Sequence, residues 1–222
     1  MPPKEHFERY LKALTAFDEE NSKDPNRETV DGEEIPRELL YAERLSDWVL
    51  RLNPEASEAL CLASRCQHLC RWMIPRESHE LTKAGYLKWR AELKRFHALK
   101  SGETLWKAGY DEKMVEAVRA LNLKTNFPDD PESRTLEDAL CLVFLQFQLK
   151  ALAEKTAPEK VVNALRKSWK KMTPAARREA MSLNFSPLEM SLLEQALDED
   201  KPGVAPVNAP DFLAPSSAAA YP

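Results

Sequence analysis

The chain has 222 residues, of which only 5 are glycine, roughly 2% against a usual share of about 7%. Tight hairpins, dinucleotide folds and phosphate-cradling loops need residues that tolerate positive φ, so this scarcity argues against a β-sandwich, a Rossmann domain and a P-loop enzyme. The 32 basic and 36 acidic residues leave a net charge of −4, which gives no bulk attraction to nucleic acid or an anionic membrane.

In chain order, the spacing of apolar residues predicts helices near 4–20, 36–52, 54–73, 82–99, 111–122, 131–155, 158–171, 174–183 and 187–198. The polar stretch 21–35, with Asp24-Pro25-Asn26 and Asp31-Gly32, reads as a loop between the first two. Asn53-Pro54 and Asp130-Pro131 offer an N-cap followed by proline, and Ser186-Pro187-Leu188-Glu189 has capping-box spacing. No segment alternates apolar and polar residues over a strand's length. The expected fold is all-α, a single-domain multi-helix bundle over 1–200. A Pro/Ala-rich tail over 201–222 is too poor in large apolar residues to fold and is expected to be disordered.

Helical projection locates the polar residues. Helix 131–155 is apolar on two faces and reads as central, with Leu136, Leu140, Val143, Phe144 and Phe147 on one side and Leu142, Leu145 and Leu149 on the other. Glu137 and Asp138 nonetheless project into it, and a carboxylate buried there needs a partner. On helix 82–99, His97 falls in the sector of Tyr86, Trp89, Leu93 and Phe96, with Arg90 beside it. Helix 54–73 puts Ala59, Leu62, Cys66, Leu69 and Cys70 on its apolar side and Ser64, Gln67, His68 and Arg71 on a solvent side. Arg65 lies further round and Trp72 on the polar side. Glu43 points away from the Tyr41, Leu45, Trp48, Leu52 face. The four cysteines, Cys61, Cys66, Cys70 and Cys141, contain no CxxC pair and read as small core residues. The N-terminus lacks an apolar run and no segment is long enough to span a bilayer, so an intracellular, cytoplasmic location is expected.

Arg65-Cys66-Gln67-His68, Arg71-Trp72-Met73-Ile74-Pro75-Arg76, Gly85 to Arg90, Phe96-His97-Ala98 and Leu136 to Leu145, with Trp169-Lys170-Lys171-Met172, form a distinctive set. Over about 5–185 it resembles the family catalogued as domain of unknown function 4202. More distantly, the pattern is similar to the HD-domain metal phosphohydrolases, all-α proteins whose histidines and aspartates converge from separate helices on divalent ions. The adjacent His-Asp doublet of those enzymes is missing. The resemblance implies His68, His97 and Asp138 as ligands of a divalent metal (Mn, Fe, Zn or Ni), with Glu137 or Glu43 as general base. Arg65, Arg71, Arg76 and Arg90 would clamp a small phosphorylated or nucleotide-like substrate.

Two other readings stand beside this hydrolase. The five tryptophans and the missing doublet fit a non-catalytic scaffold or protein-interaction module. Arg166-Lys167-Ser168-Trp169-Lys170-Lys171 places basic residues around an aromatic, as RNA-binding segments do, although the acidic balance makes nucleic acid the least expected partner.

Overall fold

The computed structural model describes residues 4–198; the expected disorder over 201–222 lies outside the described residues. The all-α expectation holds. In chain order come α1 (Lys4–Asn21), β1 (Arg27–Val30), β2 (Glu33–Pro36), α2 (Arg37–Leu52), α3 (Glu58–Cys66), α4 (Lys83–Ala108) and α5 (Glu112–Leu123). They are followed by α6 (Pro131–Val143), α7 (Leu149–Lys155), α8 (Pro158–Lys171), α9 (Pro174–Met181) and α10 (Pro187–Leu197). One core joins them: Phe17 of α1, Leu45 and Val49 of α2, Leu60 and Leu62 of α3, Leu136 and Leu142 of α6, Leu165 of α8 and Leu193 of α10 are all buried.

Local chemistry explains most boundaries. Ser57, Thr82, Asp111, Asp130 and Thr173 each accept a backbone N–H from the first turn of the helix they precede. Ser186 and Glu189 close the expected capping box. Asn53 ends α2 instead of starting α3, which begins at Glu58 under Ser57. Helix α4 runs past the expected end at 99 to Gly109, whose φ of 98° suits a helix stop. It passes through Gly102, where a Cβ would lie 3.4 Å from Val115 of α5, so the missing side chain lets the two helices pack closely.

Three segments differ from the sequence reading. The loop 21–35 contains a two-stranded antiparallel hairpin pairing Val30 with Glu33, turned by Asp31 (φ 52°) and Gly32 (φ 87°). This Asp-Gly pair is a favoured two-residue turn, and the strands are too short for alternation to reveal. The helix expected over 131–155 is interrupted by a π turn at Phe144–Gln148, where the Leu149 N–H reaches back five residues to the Phe144 carbonyl.

The third difference matters most. The helix expected over 54–73 stops at Cys66, and the chain proceeds through tight turns to a 3-10 turn at Arg71–Met73. Cys70 adopts φ 57°. Long-range partners hold the backbone groups here: the Asn21 side chain accepts the Cys70 N–H at 3.2 Å, and His97 Nδ1 donates to the Leu69 carbonyl at 2.8 Å. The solvent side assigned to His68 and Arg71 therefore does not exist, and both residues turn into the protein.

Candidate functional site

A cavity of about 320 Å³ opens among α2, the turn after α3, α4, α5, α6 and α8, near the lower end of the size range of small-molecule sites. It is lined by five cations, Arg71, Arg90, Lys94, Lys124 and Lys171, and one carboxylate, Glu137. His68, His97, Gln67 and Asn122 supply neutral polar groups, and Tyr41, Phe127 and Phe144 supply aromatic wall. In a chain of net charge −4, this concentration of positive charge is local.

Each cation is placed by its element. The turn at Cys70 sends Arg71 inward, where its guanidinium lies 4.9 Å from the Trp89 ring centroid and its Nε 3.8 Å from Glu38 Oε1. Trp89 is itself fixed by donating from Nε1 to the Ile74 carbonyl at 2.9 Å. Lys94 donates to the Leu123 carbonyl at the end of α5, at 2.7 Å. Lys124 follows immediately, in the left-handed region at φ 56°, a conformation that costs a residue with a Cβ about 1–2 kcal/mol. Its ammonium and that of Lys171, at 3.1 Å, both bind Glu137. Burial alone would raise the Glu137 pKa, but these two lysines hold it below the ordinary carboxylate value. Glu137 is therefore an ionised brace for two cations.

Glu38 sits beside His68 and Arg71 of the lining, its backbone N–H tied to Asp24 Oδ2 at 3.0 Å. Burial pushes its carboxyl up to about 7 against the pull of Arg71 and Arg37. His68 stacks on Tyr41 with ring centroids 4.2 Å apart, and its Nδ1 is 3.5 Å from Glu38 Oε2. The His68 and His97 rings are 5.8 Å apart. Burial first, then the charge of Arg71 and Arg90, holds the His68 pKa well below its ordinary value. His97 is depressed by burial, then by His68 and Arg71. Both imidazoles are neutral at pH 7.

The residues singled out from sequence divide sharply. His68, His97, Arg71, Arg90 and Glu137 come together at the cavity. Arg65 does not: it makes paired bonds of 2.6 and 2.8 Å to Asp18 and a 3.4 Å contact to half-exposed Glu43, joining α3 to α1 and α2. Arg76 is buried elsewhere, donating to the carbonyls of His79 (3.0 Å) and Glu80 (2.7 Å). Asp138 turns away from its neighbour Glu137 and accepts from the Thr173 N–H at 2.9 Å and hydroxyl at 2.6 Å. Trp169 is covered by Arg177, which donates to its carbonyl at 2.8 Å, so its segment is not an open aromatic face.

The donor set does not fit the divalent metal expected on His68, His97 and Asp138. The Asp138 oxygens are committed to Thr173, Glu137 is committed to two lysines, and five cations line the space a dication would enter. Among the described residues no three His, Cys, Asp or Glu side chains converge into a metal site. The cysteines are free, three buried and Cys61 half-buried, as core residues would be. Sequence reasoning missed Lys94, Lys124, Lys171 and Glu38, and it placed Tyr41 on a packing face. Nothing local marks the lysines, since each lies on a different element.

The family model described as "Domain of unknown function (DUF4202)" matches residues 11–193, and the chain belongs to that family. No curated protein and no solved structure matches the chain. No helix among the described residues is long and apolar enough to cross a membrane.

Proposed function

We propose that this member of the DUF4202 family binds a small phosphorylated molecule in the interhelical cavity, with Arg71, Arg90, Lys94, Lys124 and Lys171 as the anion-binding groups. The observation that supports this reading is the charge of the lining. Even with Glu137 bound to Lys124 and Lys171 and with Glu38 3.8 Å from Arg71, cations outnumber carboxylates around this cavity, so an entering anion is attracted. Guanidinium and ammonium groups together match phosphate, the first as a planar fork and the second as a point charge. No step of this reading passes through a metal.

Lys124 gives the direct test. Glycine is the usual residue at the left-handed position after a helix, so Lys124→Gly relieves strain while removing one of the two partners of Glu137. The variant is expected to unfold within about 1 kcal/mol of the parent, yet to bind inorganic phosphate and sulfate at least roughly tenfold more weakly. Calorimetric titration of both proteins measures this. Undiminished affinity in the variant, or no anion binding by the parent, overturns the proposal.

Glu38 makes anion affinity depend on pH with a defined sign. Its carboxyl, raised to about 7, is neutral at pH 6 and leaves the Arg71 charge uncompensated. At pH 8 it is ionised and opposes an incoming anion. Sulfate keeps a constant charge over this range, so its affinity is expected to fall roughly threefold to tenfold between pH 6 and pH 8. Glu38→Gln should flatten that profile. A profile that is flat in the parent, or equally steep in the variant, excludes Glu38 as its source.

A further inference from the structure

Resting on this anion-binding reading, we infer that the ligand is a small sugar phosphate or polyol phosphate, its phosphate held by the cations and its hydroxyls donating to Gln67 Oε1, His97 Nε2 and Asn122 Oδ1. Gln67, His97 and Asn122 all line the same cavity. All three are buried and have no hydrogen-bond partner among the described residues.

All three are acceptors. For Gln67 and Asn122 the atom is the amide oxygen; the Asn122 amide nitrogen is engaged at 3.2 Å by Cys66 Sγ. For His97 the tautomer follows from geometry. A carbonyl oxygen carries no proton, so Nδ1, 2.8 Å from the Leu69 carbonyl, must be the N–H. In the neutral ring, Nε2 is then a bare lone pair. A buried acceptor left without a donor is costly, and three beside one cavity call for a ligand that brings donors.

The same cavity contains one buried donor without a partner among the described residues, Arg71 Nη2. The lining thus asks for two chemistries at once: anionic oxygens to meet the cations, and several neutral O–H donors to meet the acceptors. An ammonium group would also donate, but five cations oppose it. Phosphate alone brings too few donors, and an alkyl phosphate has no hydroxyl on its chain. A phosphate ester carrying several hydroxyls satisfies both demands, and about 320 Å³ suits a molecule of three to six carbons better than one bearing a base as well.

The experiment compares, by calorimetry on the full chain, glycerol 3-phosphate, ribose 5-phosphate and glucose 6-phosphate with propyl, pentyl and hexyl phosphate and with inorganic phosphate. At least one hydroxylated ester is expected to bind roughly tenfold or more tightly than the alkyl phosphate of equal chain length. Gln67→Met, close in shape but without the acceptor, should shrink that preference severalfold, and an undiminished preference overturns the inference. If alkyl phosphates bind as tightly as their hydroxylated counterparts, the inference falls and the anion site stands. If no phosphate compound binds, the anion site falls with it.

Discussion

Replacing Asp138 by alanine is expected to lower the unfolding free energy by about 3 kcal/mol, and by the same amount with chelator or with added Mn²⁺ or Zn²⁺. The Asp138 carboxylate is buried and accepts two bonds from Thr173, through its backbone N–H and its hydroxyl. Thr173 in turn accepts the Ala176 N–H and starts α9. The alanine variant strands both Thr173 donors and weakens a helix cap, two losses that arise together because both run through Thr173. Burial raises the Asp138 pKa above its ordinary value despite the opposing pull of the Thr173 bonds, so all three proteins are compared at one fixed pH. Asp138→Asn keeps an acceptor for one of the two donors and should lose less, about 1–2 kcal/mol. Denaturant melts of the three proteins measure these losses. A loss that appears only when metal is present would return Asp138 to the ligand role expected from sequence.

Arg71→Leu is expected to weaken phosphate binding by on the order of a hundredfold while changing stability little. Arg71 has one nitrogen, Nη2, buried without a partner among the described residues, and its nearest carboxylate oxygen is 3.8 Å away. That is long for an ion pair that holds a fold together. Removing the cation leaves Glu38 buried, but a carboxyl already raised to about 7 takes a proton at small cost near neutrality. The leucine meanwhile keeps an apolar contact for Trp89. Arg71→Lys should recover part of the affinity, since it restores charge without the planar fork. The opposite pattern, a loss of about 3–5 kcal/mol in stability with phosphate affinity intact, would make Arg71 one half of a structural buried pair.

The two adjacent acids on α6 show why neighbours in sequence take unrelated roles. Successive helical residues lie 100° apart, so Glu137 and Asp138 necessarily address different neighbours. Their projections placed both inside the protein, and both are buried. Which one faced the cavity depended on what stood opposite: Lys124 and Lys171 beside Glu137, the start of α9 beside Asp138. The arginines follow the same rule. Four fell within or beside the motif-rich segments, yet Arg65 and Arg76 find partners in their own surroundings, while Arg71 and Arg90 reach the cavity.

The amino-acid sequence by itself determined the helical class, most of the helix starts, the burial of Cys66, Cys70 and Cys141 and the central place of the helix beginning at Pro131. These properties are local, encoded in cap residues and in apolar spacing within one turn or two. It also pointed to nine candidate site residues, of which His68, His97, Arg71, Arg90 and Glu137 line the cavity while Asp138, Glu43, Arg65 and Arg76 do not. Tertiary structure alone decided the short hairpin, the chain's departure from helix after Cys66 and the gathering of Lys94, Lys124 and Lys171 around Glu137. The departure depends on Asn21 and His97, 49 and 28 residues from the backbone atoms they hold. Helical periodicity describes one element against an unspecified interior. It carries no information about which distant side chain will take a backbone hydrogen bond, or which lysine from another helix will find a buried carboxylate, because those energies exist only once the helices have packed.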